Sequence, residues 1–495
     1  MHSGAVQDLG HSQDAKGSTG SRVSSGSMPL EWSSSSPELL LTVDRDGDLP
    51  LRTQVEQALR DAIRTGRMQV GERVPSSREL ARTVGLSRGL VQECYAQLQA
   101  EGYLVTRPGS ATRVAAGAVV PAPVPRSAPA SLSLIADFRW GVPDLASFPM
   151  PDWLWSMREA ARAMPTAALD YGDPSGSLVL REVLAGYLRR VRSAAAEPDR
   201  IIVCNGYAQG LSLALRVLAD SGVRSVAFED PGSPRTVGTA ADAAGLSAIP
   251  VPVDELGIDV AALAATPACA VVVTPAHQWP TGVVLAPARR LALIEWATRH
   301  DGYIIEDEYD AEFRYDREPV GTLQGLAPDR VISIGTVSKS LAPALRIGWM
   351  LCPPDLVEPI ARHKHTTDRG TPTLDQIALA RLIESGRFDR HLRRVRTTYA
   401  ARRTALLDAL SEHAPAIAVT GLAAGFHAVA HLPDGTDEHQ VIADARERAV
   451  GLYGMSVCRA SCDVAPARLV LGFGNVGARA ITEGIATIGN VLGRA

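Results

Sequence analysis

The chain has 495 residues, 46% of them hydrophobic and 21% charged, with a formal net charge of −4; these are globular values, and the length predicts two or three domains rather than one core. The charge excludes a uniformly basic nucleic-acid coat, no apolar run reaches the length of a membrane span, and the polar N-terminus is unlike a secretory signal, so a cytoplasmic protein without membrane contact is expected. Six scattered cysteines (Cys94, Cys204, Cys269, Cys352, Cys458, Cys462) make no C-x-x-C pair, which predicts free, mostly buried thiols and no metal site.

Residues 1–36 are rich in Ser, Gly and Asp without apolar periodicity, and a disordered tail is expected there. Leu51, Val55, Leu59 and Ile63 then recur every four residues, the stripe of an amphipathic helix ending near Gly66. Ser76-Ser77-Arg78-Glu79 offers a capping box for a second helix through Leu80 and Val84, stopped at Gly85. Ser87 can cap a third, with Leu90, Val91, Cys94, Tyr95 and Leu98 as its buried face. The pair forms a helix-turn-helix. Residues 102–114 alternate around Pro108-Gly109 as a hairpin would, which supplies a wing.

Between residues 51 and 114 ten arginines face six acids, 10 − 6 = +4, in a chain that is negative overall. That asymmetry points to DNA. Arg88 and Gln92 lie off the apolar face near the start of the third helix, where side chains reach base edges; Arg78, Ser87 and Ser110 are placed to meet phosphates. Any one arginine is as readily a solvated surface charge, so their grouping around the helix-turn-helix carries the reading.

This stretch resembles the winged-helix domain of GntR-type regulators over residues 50–114. The resemblance rests on Val74-Pro75-Ser76-Ser77-Arg78-Glu79-Leu80-Ala81, Gly85-Leu86-Ser87-Arg88, Tyr95, Leu98 and Glu101-Gly102-Tyr103-Leu104. It implies a DNA-binding domain over 37–114, operator DNA as partner, and Ser76, Ser77 and Thr112 as further contact residues. The wing departs from the family, with Gly109-Ser110-Ala111-Thr112 where Gly-Ser-Gly-Thr is usual, and the lost glycine limits close phosphate approach. Residues 115–132, with Pro121, Pro123, Pro125 and Pro129, read as a semi-rigid linker.

Beyond it, strand-like runs at 201–203, 225–229, 270–274, 303–306 and 331–334 alternate with amphipathic stretches, which predicts a mainly parallel α/β sheet with its ligand beyond the strands' carboxyl ends. The residues there form a set. Gly206, Tyr207 and Ala208 open a helix, whose free amides suit a phosphate. Asp307 and Tyr309, two apart, share a face, although the acidic run 306–312 taken alone would more readily be a solvated edge, and Asp310 competes with Asp307 for the same part. Only three lysines, Lys16, Lys339 and Lys364, stand against 50 − 3 = 47 arginines. Lys339 follows a β-branched strand within Thr336-Val337-Ser338-Lys339, with Arg346 seven residues on. A buried lysine can lose its proton and attack a carbonyl, which arginine cannot. Pyridoxal 5′-phosphate needs these functions together: an aldehyde-condensing lysine, a carboxylate for the ring nitrogen, a phenol for the ring hydroxyl, and Thr336, Ser338 and Arg346 for the phosphate.

Residues 135–495 resemble fold-type I aminotransferases, particularly the aminotransferase-like domain of the MocR-type subfamily of GntR regulators. The matching segments are Tyr171-Gly172-Asp173-Pro174-Ser175-Gly176, Thr274-Pro275-Ala276-His277-Gln278-Trp279-Pro280-Thr281-Gly282, residues 306–315 and residues 338–348. The resemblance implies a large cofactor-binding domain over 133–370, a small C-terminal domain over 371–495, a Schiff base on Lys339, His277 beside the ring, and a homodimer in which Tyr171 reaches the neighbouring subunit's phosphate. It also implies Arg235 and Arg468 as binders of a ligand carboxylate. Ser233 replaces the family's ring-stacking tyrosine, so that either another residue, His277 or Trp279, covers that face or cofactor affinity is reduced. The expected function is a transcriptional regulator sensing pyridoxal phosphate or an amino compound that reacts with it, in vitamin B6 or amine and amino-acid metabolism. The alternatives are an active aminotransferase with an accessory DNA-binding domain, and a regulator that no longer binds cofactor.

Overall fold

The computed structural model describes residues 43–45, 47–106, 111–116, 134–310, 312–315, 321–460 and 466–493. The tail expected over 1–36, nearly all of the linker, Ser110 and Cys462 lie outside the described residues. The chain divides into two units, Met1–Ala130 and Ser131–Ala495.

In the first unit, α1 (Leu51–Arg64), α2 (Ser77–Val84) and α3 (Arg88–Ala100) precede a hairpin of β1 (Leu104–Val105) and β2 (Arg113–Val114), paired antiparallel. The local chemistry explains each boundary. The Glu79 amide donates to Ser76 Oγ at 3.2 Å and the Ser76 amide to Glu79 Oε2 at 3.4 Å, closing the capping box. Gly85 ends α2 at φ 67°, a left-handed value that a residue with a side chain resists, and Ser87 Oγ accepts from the Leu90 amide. Val55, Leu59, Ile63, Leu80, Val91, Cys94 and Leu98 meet in one core with Leu104 and Val114 of the hairpin. Replacing Ser76 with alanine should cost about 1 kcal/mol, read in the full chain as faster amide exchange confined to α2; unchanged exchange there would show that the cap contributes nothing.

The second unit opens with β3 (Ala136–Asp137) and is built on an eight-stranded sheet. Its strands are β4 (Ile201–Cys204), β5 (Ser225–Asp230), β6 (Ser247–Asp254), β7 (Gly257–Ile258), β8 (Ala270–Val273), β9 (Tyr303–Glu308), β10 (Val331–Thr336) and β11 (Gly348–Leu351). The order is β4-β11-β10-β9-β8-β5-β6-β7. The pairs from β10 through β9, β8 and β5 to β6 are parallel, while β11 runs antiparallel to both β10 and β4. Central strands such as β10 are buried at every residue, because apolar clusters cover both faces of the sheet. β9 and β10 run two residues farther than the sequence reading, so that Asp307 and Thr336 fall within them, while β8 stops one residue short.

After the sheet, β12 (Ala418–Thr420), β13 (His427–His431) and β15 (Arg468–Gly472) form a three-stranded antiparallel layer, and β14 (Val450–Gly451) pairs with β3, returning the end of the unit to its beginning. Among the described residues no helix is long and apolar enough to cross a membrane. The five described cysteines are free, four of them buried.

Candidate ligand cavity and nucleic-acid interface

Strand register decides where the chemistry converges. β9 and β10 run parallel with Asp307 opposite Ile334 and Glu308 opposite Gly335, so Asp307 and the segment after Thr336 emerge at the same edge. β11 returns antiparallel, placing Gly348 beside both Thr336 and Cys204. Arg346, two residues before β11, is thereby held over the turn after β4, where its Nη2 donates to the Asn205 carbonyl. Gly206 must be glycine there: it sits at φ 85°, and a Cβ would meet the Arg346 guanidinium at 3.2 Å. Arg346 itself sits at φ 52°, a left-handed conformation costing of order 1 kcal/mol for a residue with a side chain.

Around this edge lies a cavity of about 350 Å³, lined by eight of the sequence-derived candidates: Tyr207, Ala208, Asp307, Tyr309, Thr336, Ser338, Lys339 and Arg346. Lys339 Nζ donates to the Gly141 carbonyl at 2.6 Å. Burial holds its amine below the usual lysine value, against the pull of Asp307 and Asp310. At one end the Tyr207–Asp220 helix presents its first amides beside Arg346, Thr336 and Ser338; the Ser338 amide donates to Thr336 Oγ1, which in turn donates to Ser338 Oγ. At the other end Asp307 Oδ1 is buried without a hydrogen-bond partner. Burial drives the Asp307 carboxyl well above the usual carboxylate range, with Lys339 opposing.

Asp310 does not compete for that position. It is 1% exposed and accepts from His277 Nδ1 at 2.7 Å, and Tyr309 Oη donates to the His277 carbonyl at 2.9 Å. The acidic run is correspondingly no solvated edge. Side chains alternate along β9: Glu306 Oε1 caps the Leu323 amide at 2.7 Å and Glu308 pairs with Arg192, while Asp307 faces the cavity. Glu229, pushed up to about 7 by burial, accepts from the Thr274 amide and hydroxyl and, with the Pro231 and Trp279 carbonyls, fixes Gln278. The 274–282 loop is thereby locked against the sheet.

Several sequence-derived residues stand elsewhere. His277 is not among the residues lining the cavity; it is buried in the bond to Asp310, so of the two replacements for the missing stacking ring only Trp279 faces the space beside Ser233. Tyr171 is 74% exposed and lines a separate cleft with Asp368, Arg369 and Thr371. Arg235 is exposed in the first turn of the Pro234–Ala244 helix. Arg468 lies on β15 opposite His431, at the far end of β13 from the cavity. Trp140, Gly141, Thr236, Pro343, Phe426 and His427 line the cavity and escaped the sequence reading. Trp140 and His427 are 287 residues apart, and no local pattern links them.

In the winged-helix unit, Ser76, Ser77, Gln92 and Thr112 line one cleft between α3 and the wing. Tyr95 contributes to it and donates from Oη to the Pro75 carbonyl at 2.9 Å. Arg78 and Arg88 are exposed, each in the first turn of its helix. Ser76 and Ser87 hydroxyls already accept cap bonds, which leaves each one proton to donate outward.

Residues 51–114 match the model of the bacterial regulatory proteins of the gntR family, and residues 137–469 match aminotransferase class I and II. The chain is 31% identical over 472 residues to the probable rhizopine catabolism regulatory protein MocR of Rhizobium meliloti, covering 91% of this chain and 95% of that protein. It is 35% identical over 384 residues to the pyridoxine biosynthesis transcriptional regulator PdxR of Corynebacterium glutamicum, covering 76% and 82%. Among solved structures it resembles the kynurenine aminotransferase of Pyrococcus horikoshii, with a TM-score of 0.66 at 27% identity over 73% of this chain and 91% of that one.

Proposed function

The chain belongs to the MocR-type subfamily of GntR-family transcriptional regulators, a DNA-binding winged helix joined to a fold-type I aminotransferase domain, and from that premise we propose that its cavity binds pyridoxal 5′-phosphate and reports the cofactor, or an amine reacting with it, to operator DNA. The observation that carries this reading is the orphaned Asp307 Oδ1, set in one cavity with the Lys339 amine, Arg346 and the start of the Tyr207–Asp220 helix. A buried carboxyl pushed toward its neutral form needs a cationic partner to ionise, and a protonated ring nitrogen is such a partner.

Bound there, the cofactor would supply an aldehyde for amines and an electron-poor ring. Lys339 offers its amine to that aldehyde, and its lowered proton affinity keeps the nucleophilic form accessible. Gly206, Tyr207, Ala208, Thr336, Ser338 and Arg346 would hold the phosphate. Tyr309, which lines the cavity and is braced through the His277 carbonyl by the His277–Asp310 bond, would hydrogen-bond the ring hydroxyl. Trp279 is placed to cover the ring face left open by Ser233. The exposed Tyr171 suits delivery to a second subunit, and we propose a homodimer whose two winged helices occupy repeated half-sites. The proposed division is 37–114 for DNA, 133–370 for the cofactor and 371–495 for the small domain. The likeness to regulators of pyridoxine synthesis and rhizopine catabolism supports vitamin B6 or amine metabolism as the controlled process.

A mobility-shift titration of the full chain on its adjacent intergenic DNA, with and without pyridoxal phosphate, tests the coupling. Operator affinity should change by about fivefold or more, the lower end of ordinary allosteric coupling. Identical affinities in both arms would sink the sensor reading. Sustained turnover of an amino acid with a keto acid at about 1 s⁻¹ or faster would make the protein an enzyme instead.

A further inference from the structure

The cavity has two chemically unlike ends. Its anion-binding end is defined by Arg346 and the start of the Tyr207–Asp220 helix. The opposite wall is aromatic: Trp140 and Trp279 lie 5.8 Å apart between ring centroids, Trp279 and His427 lie 5.0 Å apart, and Phe426 is 2% exposed. Behind the tryptophans pack Val429, Met455, Cys458 and Val470.

On one face of the small antiparallel layer, a row of paired residues leads away from the cavity. His427 with Gly472 stands at the cavity, Val429 with Val470 comes next, and His431 with Arg468 is last. Arg468 is therefore displaced from the cavity-lining position by four residues, about 13 Å at ~3.3 Å per residue, with a valine pair between. Arg235 is exposed outside the lining. Among the described residues the cations that line the cavity are Lys339 and Arg346, and both are already engaged, with Gly141 and with the Asn205 carbonyl. A carboxylate on a bound amine would be pressed against the aromatic wall of Trp140, Trp279 and Phe426 without a counter-ion, which is strongly unfavourable.

We infer that the cavity selects primary amines that carry an aromatic or apolar group and no α-carboxylate. This rests on the cofactor reading above, since the amine is recognised where Lys339 and the cofactor aldehyde meet. The burial that keeps His427 neutral, its imidazole held well below the usual range with His277 adding to the effect, gives the wall no charge for a carboxylate to use.

The test titrates full-length, cofactor-loaded protein with matched pairs differing only in the carboxylate, 2-phenylethylamine against L-phenylalanine and butylamine against L-norvaline. Binding is followed by the visible spectrum and by tryptophan fluorescence. Each amine should half-saturate at a concentration at least about tenfold below its amino acid, and 2-phenylethylamine should bind several-fold more tightly than butylamine. Trp279→Leu should shrink the phenyl preference. An amino acid that binds as tightly as its amine, or a phenyl preference unchanged by Trp279→Leu, overturns the inference while leaving the cofactor reading intact. Protein that takes up no colour from pyridoxal phosphate fails both.

Discussion

Lys339→Ala protein should fold, remain competent for operator DNA in its unliganded state, and bind pyridoxal phosphate about 100-fold or more weakly than the parent. The reason is the division of labour within the cavity. Arg346, the helix start and the Thr336–Ser338 pair are untouched by the substitution, so an anion contact survives; what disappears is the only described amine that faces the cavity. The parent should carry the cofactor's visible colour through gel filtration and the variant should lose it. Adding a borohydride reductant to the loaded parent should fix the cofactor mass on the peptide containing Lys339, and the variant should show no such adduct. Retained colour in the variant, or labelling on Lys364, would refute the assignment. Lys364 is the instructive control, because it is fully buried and paired with Asp368 at 2.7 Å, away from the cavity.

A pH dependence follows with a definite sign. Burial lowers the Lys339 proton affinity, so the neutral amine is populated at lower pH than for a free lysine. The rate of cofactor uptake should rise with pH and level off through a midpoint below the ordinary lysine value of about 10.4. A midpoint at or above that value would show that the Asp307 and Asp310 charges, which act in the opposite sense, outweigh burial.

The second large effect belongs to Arg88. It is exposed in the first turn of α3, with Gln92 one turn on and beside the cleft shared with the wing. Arg88→Ala should weaken operator binding by about 1–3 kcal/mol, roughly 5- to 150-fold. If Arg88 reads a base edge, discrimination at one operator position relaxes while the salt dependence barely moves; if it meets a phosphate, binding weakens on every sequence and the salt slope falls by about one. Unchanged affinity in both assays would remove Arg88 from the interface and leave Arg78 and Gln92 as the main contacts. The substitution removes no buried group and no capping bond, so thermal stability should stay with the parent.

Local patterns made the winged helix legible. The four-residue stripe of Leu51 to Ile63, the Ser76–Glu79 box, the Gly85 stop and the Ser87 cap each depend on side chains within four residues of one another, and all appear in the structure at those positions. The parallel sheet was legible for a related reason: strands buried on both faces are continuous apolar runs, and their punctuation is local. Asp307, Lys339 and Arg346 could be named because each sits at a strand end, where such sheets converge.

What the sequence reading left out was distance information. The sequence does not show that Asp310, 33 residues on, holds the His277 imidazole in a buried bond. The acidic run looked like a solvated edge because the string of letters does not show that Arg192, at the end of the Leu178–Arg192 helix, faces Glu308 or that the Leu323 amide faces Glu306. Nor does it show that the pairing of β13 with β15 sets Arg468 four residues from Gly472, the partner of the cavity-lining His427, with Val470 between.

The sequence by itself determined the two modules, the α/β class of the larger one, and the residues able to hold a phosphate and an aldehyde, since helix caps, strand periodicity and side-chain chemistry are properties of short segments. Only the tertiary structure decided which of those residues share a cavity and what closes its far side. Trp140 comes from the start of the second unit, Trp279 from the middle and His427 from near its end, and contacts between residues so far apart along the chain are set by sheet order and register, which no single stretch of sequence encodes.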